Sequence, residues 1–359
     1  MTKRITAIFC FVFAVFILLS GCVNREVGEE NTEQDILNVF DNDLEDELVV
    51  YATHPEPMLK RVAEVFTEKT GVPVEYISLK GDLTDRMREE KDIAKADVMY
   101  GGSSTLYIAM TNEDLLEAYV PSWANDLHSD FVDSKGYWHG VMKTPIVIFY
   151  HEDLLGDIPI PTCWKDLSRP EYRGMIISRD SNSSSQEATI VSLLSYFERT
   201  QSLDKGVSWL KELDANTKNY YPDNESHFKA FATKEAPIGY GVLSAVIESK
   251  IKDQTPFSTV NPKEGSIVLT DCIALVKDAP HPNSAKAFIE FAGSEEVQIM
   301  LANEFDRMPT LDKARIEGPA WMHQEIEAMP LDWAYIAKHE YEWSKMWEEK
   351  IRDGNKSIE

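Results

Sequence analysis

Apolar residues along this chain fall in short runs separated by amphipathic stretches, and the two alternate. Leu48–Ala52 is an unbroken apolar run, the pattern of a strand covered on both faces. The next stretch places Leu59, Val62 and Phe66 on one helical face, and Gly71 and Pro73 end it. A strand over 74–78, a charged helix from Gly81-Asp82 to about Asp92, a strand over 97–100 and a helix through Met110 follow. This β-α-β-α-β-α order predicts a parallel sheet with helices on both faces. Val141–Tyr150 is a longer apolar strand, broken by Lys143-Thr144-Pro145, and is placed to carry the chain into a second lobe. There the alternation repeats: a strand over 175–178, helices over 187–199 and 204–213, a strand over 237–241 and a helix over 242–250. Ile190, Leu193, Leu194 and Phe197 share one face. Ile267–Lys277 reads as the returning strand, followed by helices over 284–292 and 295–305 and an aromatic-rich helix from Asp332 to about Asp353.

The expected fold is therefore α/β: a two-lobe clamshell, each lobe a mixed sheet flanked by helices, with two hinge crossings. The division expected is 48–143 with 271–359 for lobe 1, and 144–270 for lobe 2.

The first 47 residues read differently. Lys3 and Arg4 precede an apolar run from Ile5 to Leu19, the n-region and h-region of a secretory leader. The run is too short and lopsided to span a bilayer comfortably. Leu18-Leu19-Ser20-Gly21-Cys22 then places small residues before a cysteine, whose thiol can take a diacylglyceryl thioether. Residues 1–21 are expected to be a lipoprotein signal peptide and Cys22 the lipidated start of the mature chain. Residues 22–47, with ten acids from Asn24 onward against Arg25 alone, are expected to be a solvated tether.

Charge narrows the partners. The 359 residues carry 61 acidic and 36 basic side chains, net −25. This excess argues against nucleic acid and against tight docking on anionic lipid. Of the four cysteines, Cys163 and Cys272 remain after the leader and lipid site are set aside; their spacing neither requires nor excludes a bridge. No Cys/His spacing suggests structural zinc, and no GxSxG, HExxH, P-loop or GxGxxG run appears. Catalysis and a cofactor are not expected.

Three loops precede helices at the carboxyl ends of strands, where such sheets bind ligands. They are Thr53-His54-Pro55-Glu56, Gly101-Gly102-Ser103-Ser104 and Asp180–Ser185, the last containing Ser183, Ser184 and Ser185. Helix N-termini offer free N–H groups and a positive dipole end, and serine hydroxyls add donors. Capping alone accounts for any one of them, and Ser184 with Glu187 fits a capping box. Three in one clamshell point to a small polar, anionic solute. A ferric site is the alternative, built from His54, Glu56 and the tandem Tyr220-Tyr221.

In their order, several phrases resemble the extracellular solute-binding proteins of bacterial ABC importers. The resembling branch groups ferric-ion binders with binders of phosphorylated sugars, phosphoglycerate and phosphonates. The phrases are Leu48–Ala52, Thr70–Val74, Ala96–Val98, Pro161–Leu167, Tyr172–Gly174, Pro262–Gly265, His281–Phe288 and Pro330–Trp333 with Ala337-Lys338. The resemblance implies a periplasmic-binding-protein fold of the second type, an ABC permease as partner, and a cell-membrane site, lipid-anchored on the periplasmic or extracellular face. It also implies that Ser103, Ser104 and Ser183–Ser185 hold a phosphate or phosphonate. Thr53, His54, Tyr240 and Asp271 would read the remainder, with Gly102 and Thr144 also lining the site. Ferric members carry two adjacent tyrosines on the strand that here reads Ile238–Gly241, where Tyr240 stands alone. His54 and Glu56 sit where those members have similar ligands, so His54, Glu56 and Tyr240 form the alternative metal set.

Overall fold

The computed structural model describes residues 43–79, 82–181, 183–253 and 257–358. The leader, Cys22, most of the acidic tether, Gly81 and Asn182 lie outside the described residues.

The first lobe opens with β1 (Leu48–Ala52), α1 (Glu56–Thr70), β2 (Val74–Ser78), α2 (Leu83–Glu89), β3 (Val98–Ser103), α3 (Ser104–Asn112) and β4 (Leu116–Glu117). Pro57 starts α1, and Gly71 ends it in the left-handed region at φ 79°. β1 lies between β2 and β3, parallel to both. Leu48, Val50 and Ala52 enter one apolar cluster and Tyr51 the cluster on the opposite face, which is why the run does not alternate.

β5 (His139–Tyr150) then crosses into the second lobe. That lobe holds α4 (Glu152–Leu155), β6 (Ile176–Arg179), α5 (Ser184–Thr200), α6 (Leu203–Asn216) and β7 (Thr217–Tyr221). It continues with α7 (Asn224–Ala232), β8 (Ile238–Val242), α8 (Leu243–Asp253) and β9 (Ser258–Val260). β10 (Ile267–Val276) returns, paired antiparallel to β5 from Ile267–Ile146 to Ile273–His139. Its later residues pair with β3 of the first lobe, while residues 146–150 of β5 pair with β8 of the second. One sheet, ordered β2-β1-β3-β10-β5-β8-β6-β7, therefore runs through both lobes, and the β5–β10 pair is the double crossing.

The chain ends with α9 (Pro282–Ala292), α10 (Glu295–Phe305), β11 (Met308–Pro309), α11 (Asp312–Glu317) and α12 (Trp333–Met346), which continues into one π-helical turn at Trp347–Ile351. α9 and α10 pack on the first lobe. The tail does not follow them, although 271–359 is expected to lie wholly there. Met329, Ile336, Trp343 and Trp347 pack with Trp164, Leu193 and Tyr220 of the second lobe. Their bulky apolar surface needs a partner face, and α5 and α6 supply one.

The described end of the tether is also held rather than solvated. The Glu45 carboxylate accepts the backbone N–H groups of Asn283 and Ser284 and so caps α9. Cys163 and Cys272 are free thiols, the second fully buried.

Candidate functional site

On the first-lobe side the site is built where β1 and β3 end. Gly101 and Gly102 both have φ 89°, and a Cβ on Gly101 would sit 2.5 Å from His54 Nε2. Only glycine allows this turn and this approach together. The Tyr107 hydroxyl pins the turn to β10 by donating to the carbonyls of Gly101, 2.9 Å, and Cys272, 2.5 Å. His54 is 5% exposed and lies edge-on to Tyr100 at 4.7 Å. Burial lowers its pKa to about 4, so the imidazole is neutral at pH 7.

His54 Nε2, the Tyr100 hydroxyl and Arg307 Nε are all buried without a hydrogen-bond partner. The charges of Asp271 and Arg307 act on both His54 and Tyr100, so the four groups share one neighbourhood. The Thr144 hydroxyl donates to Asp271 Oδ2 at 2.9 Å. Buried polar groups without partners are rare, and three together mark a place where a polar molecule fits.

On the second-lobe side the site is built where β6 ends and α5 begins. Ser183 is the N-cap of α5 and Ser103 that of α3, yet neither side chain caps its helix. The Ser103 hydroxyl instead contacts Thr105 at 2.7 Å, and the Ser183 hydroxyl contacts Ser185 at 3.0 Å. Ser184 is exposed and Thr53 partly so. The first-turn N–H groups of both helices therefore keep their affinity for an anion.

Arg179 closes this side. It donates to the carbonyls of Tyr221 and Pro222 and to Asn224 Oδ1, and among the described residues it forms no ion pair. Burial lowers its pKa. Beside it His227 is fully buried, with Nδ1 unpartnered and its pKa lowered to about 4 by burial. Arg179, Ser185, Gln186, Thr189, Asn224 and His227 line a small pocket.

The two sides face each other. α12 packs against both α3 and α5, and burial together with the charge of Glu187 on α5 raises the pKa of Glu340 on α12. A cavity of about 330 Å³ adjoins α5 on its α12 side, walled by Trp347, Ile190 and Glu187.

Some expected ligands are elsewhere. Tyr240 is fully buried and its hydroxyl accepts from Gln186 Nε2 at 2.8 Å, so Gln186 screens it from the cleft. The Tyr220 hydroxyl donates to Asp214 at 2.8 Å and that of Tyr221 to Glu235 at 2.6 Å. Adjacent strand residues point to opposite faces, so this pair cannot converge on one ion. Glu56 is exposed at the start of α1. No group of three or more His, Cys, Asp or Glu side chains among the described residues is placed to hold a metal.

Sequence reasoning missed Tyr100, Thr105, Arg179, Asn224, His227 and Arg307. Arg179 did carry a signal: it is a cation at a strand's carboxyl end, directly before the serine loop. Arg307 carried none, because it reaches the site only through the path of the chain after α10.

Residues 94–339 match the model of a bacterial extracellular solute-binding protein family. The chain belongs to that family. Its members work as solute-binding proteins of ABC importers, and they bind their substrates rather than transform them. It is similar to a probable ABC transporter periplasmic-binding protein of Sinorhizobium fredii, 27% identical over 277 residues, covering 76% of this chain and 77% of that one. It is 24% identical to an Fe(3+)-binding periplasmic protein of Serratia marcescens over 264 residues, covering 71% and 75%. Among solved structures it resembles the apo ferric ion-binding protein A of Pasteurella haemolytica, with TM-score 0.76, 20% identity and coverage of 86% and 99%. It also resembles a periplasmic binding protein of Actinobacillus pleuropneumoniae with fructose-6-phosphate bound, with TM-score 0.70, 24% identity and coverage of 85% and 98%. These likenesses give the two-lobe fold of type II periplasmic binding proteins.

Proposed function

We propose that this solute-binding protein captures a small anionic organic solute, of the phosphorylated class, and delivers it to an ABC permease. The observation that carries the reading is Arg179. In a chain with a large acidic excess, the hydrogen-bond acceptors of this half-buried guanidinium are all neutral among the described residues. The charges of Asp223 and Asp180 act on it without forming an ion pair. It stands beside His227, whose Nδ1 is unpartnered while Nε2 meets the Ile177 carbonyl. An arriving phosphate would meet a fixed guanidinium, the free N–H groups of α5 and the hydroxyls of Ser183 and Ser185. Across the cleft, Asp271 and neutral His54 suit hydroxyl groups, and Arg307 adds a second cation. Two lobes that each hold part of the ligand favour the closed conformation by binding it better than the open one.

The leader and Cys22 support a lipid anchor on the outer face of the cytoplasmic membrane, which would keep the carrier near its permease. Ferric capture is the second reading; the unpartnered, neutral imidazole of His54 favours it, and the engagement of Tyr220, Tyr221 and Tyr240 elsewhere weighs against it. Intrinsic tryptophan fluorescence, titrated with a panel of sugar phosphates and with ferric iron, separates the two.

A further inference from the structure

The loop between β6 and α5 is held from behind by the end of the chain. Trp347 donates its indole N–H to the Ser181 hydroxyl at 3.1 Å, and Arg352 Nη1 donates to Asp180 Oδ2 at 3.4 Å. The Arg352 and Asp180 side chains are only 13% and 15% exposed, so water does little to screen the pair. Arg352 is itself fixed. Its Nε and Nη2 donate to Glu348 Oε2 at 3.1 and 2.7 Å, and Nη1 also donates to the Ser357 hydroxyl at 2.6 Å. The guanidinium lies 5.8 Å from the centre of the Tyr220 ring on β7. The residues after it fasten to the same lobe: the Asp353 N–H and Lys356 Nζ donate to the Asp214 carboxylate, and the Ile358 N–H to the Tyr220 carbonyl.

Asp180 is the root of the loop. Its N–H donates to the Tyr221 carbonyl at 2.8 Å, its carbonyl accepts from the Ser183 N–H at 3.1 Å, and its Oδ1 accepts from the Ser181 N–H at 2.6 Å. Arg179 Nε donates to that same Tyr221 carbonyl at 3.3 Å, so both residues are anchored at one point of β7. Of the two carboxylates whose charges act on Arg179, Asp223 is exposed and caps α7, and Asp180 is paired with Arg352. A bare carboxylate at this place would repel an arriving anion and offer Arg179 a partner inside the protein.

We infer that Arg352 is a positioning residue of the solute site: from the tail it braces the loop through Asp180 and cancels that carboxylate's charge, which leaves Arg179 and the N-terminus of α5 free for an anion. The inference rests on the anionic reading of this site and adds a determinant of its strength. Arg352 acts through Asp180, 172 residues earlier in the chain, and not on the solute.

Calorimetric titration of the full chain with inorganic phosphate and with sugar phosphates tests it, in wild type, Arg352→Gln, Arg352→Lys and the double variant Arg352→Gln/Asp180→Asn. Loss of the compensating charge should weaken anion binding about tenfold in Arg352→Gln. Lysine keeps the charge and should lose no more than about threefold. Removing the Asp180 charge as well should bring the double variant to within about threefold of wild type. Equal binding by wild type and Arg352→Gln overturns the inference. So does a double variant that binds no better than Arg352→Gln, which would mark Arg352 as a packing element alone. Hydrogen exchange of the ligand-free chain reads the brace with no solute present. Peptides covering 183–189 should exchange about fivefold faster in Arg352→Gln and as wild type in Arg352→Lys, with peptides covering 98–112 of the first lobe unchanged. Unchanged exchange over 183–189 in Arg352→Gln overturns the brace whether or not an anion binds. A wild type that binds neither inorganic phosphate nor sugar phosphates, with exchange rising as stated, contradicts the anionic reading and supports the brace.

Discussion

The Thr144 hydroxyl donates to Asp271 Oδ2 at 2.9 Å, tying β5 to β10 where the chain passes between lobes. Asp271 is also the charge felt by His54 and Tyr100, so hinge and binding surface share one carboxylate. Thr144→Val removes the donor and is expected to cost about 1 kcal/mol of stability, read from the urea midpoint. Asp271→Asn removes a negative charge beside Arg307. It should weaken sugar-phosphate binding while strengthening that of inorganic phosphate, a split that isothermal titration resolves.

Gly101 holds φ 89° against the His54 ring. Gly101→Ala sets a methyl group into that ring on a backbone that disfavours side chains. A loss of about 2–3 kcal/mol is expected in denaturant unfolding, together with weakened solute binding. Gly174, also at positive φ but with open space for 4 Å around the position a methyl group would take, is the control; its alanine variant should lose only about 1 kcal/mol.

Burial holds His54 and His227 to pKa values of about 4, against an ordinary 6.5. As pH falls, the unfolded chain therefore takes up these protons first. The stabilisation is complete above pH 6.5 and is lost as pH falls toward 4, amounting to about 2 kcal/mol for each histidine between pH 7 and 5. Urea unfolding at the two pH values checks this, and His227→Asn should flatten the difference by about that amount.

Trp347 is 2% exposed and packs with the second lobe, and its indole N–H donates to the Ser181 hydroxyl at 3.1 Å. Trp347→Ala is expected to cost about 3–5 kcal/mol. The increase in hydrogen exchange should fall on α5 and α6 of the second lobe and spare α1 and α9 of the first. The reverse distribution would place the tail with the first lobe.

Much of this architecture is readable from local chemistry. Leu48–Ala52 declares a covered strand and Gly71 and Pro73 a helix end, whereas Lys143-Thr144-Pro145, expected to break the long strand, runs unbroken through β5 and pairs with Thr270, Leu269 and Val268 of β10. What local chemistry does not carry is the destination of a segment. Chain order after β10 points residues 329–347 to the first lobe, while Trp343 and Trp347 find their apolar partners in the second. The acids at 43–47 look solvated until α9 brings two free N–H groups to Glu45. In the site, the glycine and serine loops announce themselves because special backbone and small polar side chains are local properties. Arg307 and the screening of Tyr240 by Gln186 arise only from packing between distant segments.

The most direct test is tryptophan fluorescence of wild type, Arg179→Ala and Tyr240→Phe, each titrated with fructose 6-phosphate, other sugar phosphates and ferric iron. The account predicts saturable binding of at least one organic phosphate. Arg179→Ala should weaken it about 30-fold or more, by loss of a charged hydrogen-bonding partner, and Tyr240→Phe should leave it nearly unchanged. A ferric complex with a visible charge-transfer band that disappears in Tyr240→Phe, with no response to any organic phosphate, would contradict it.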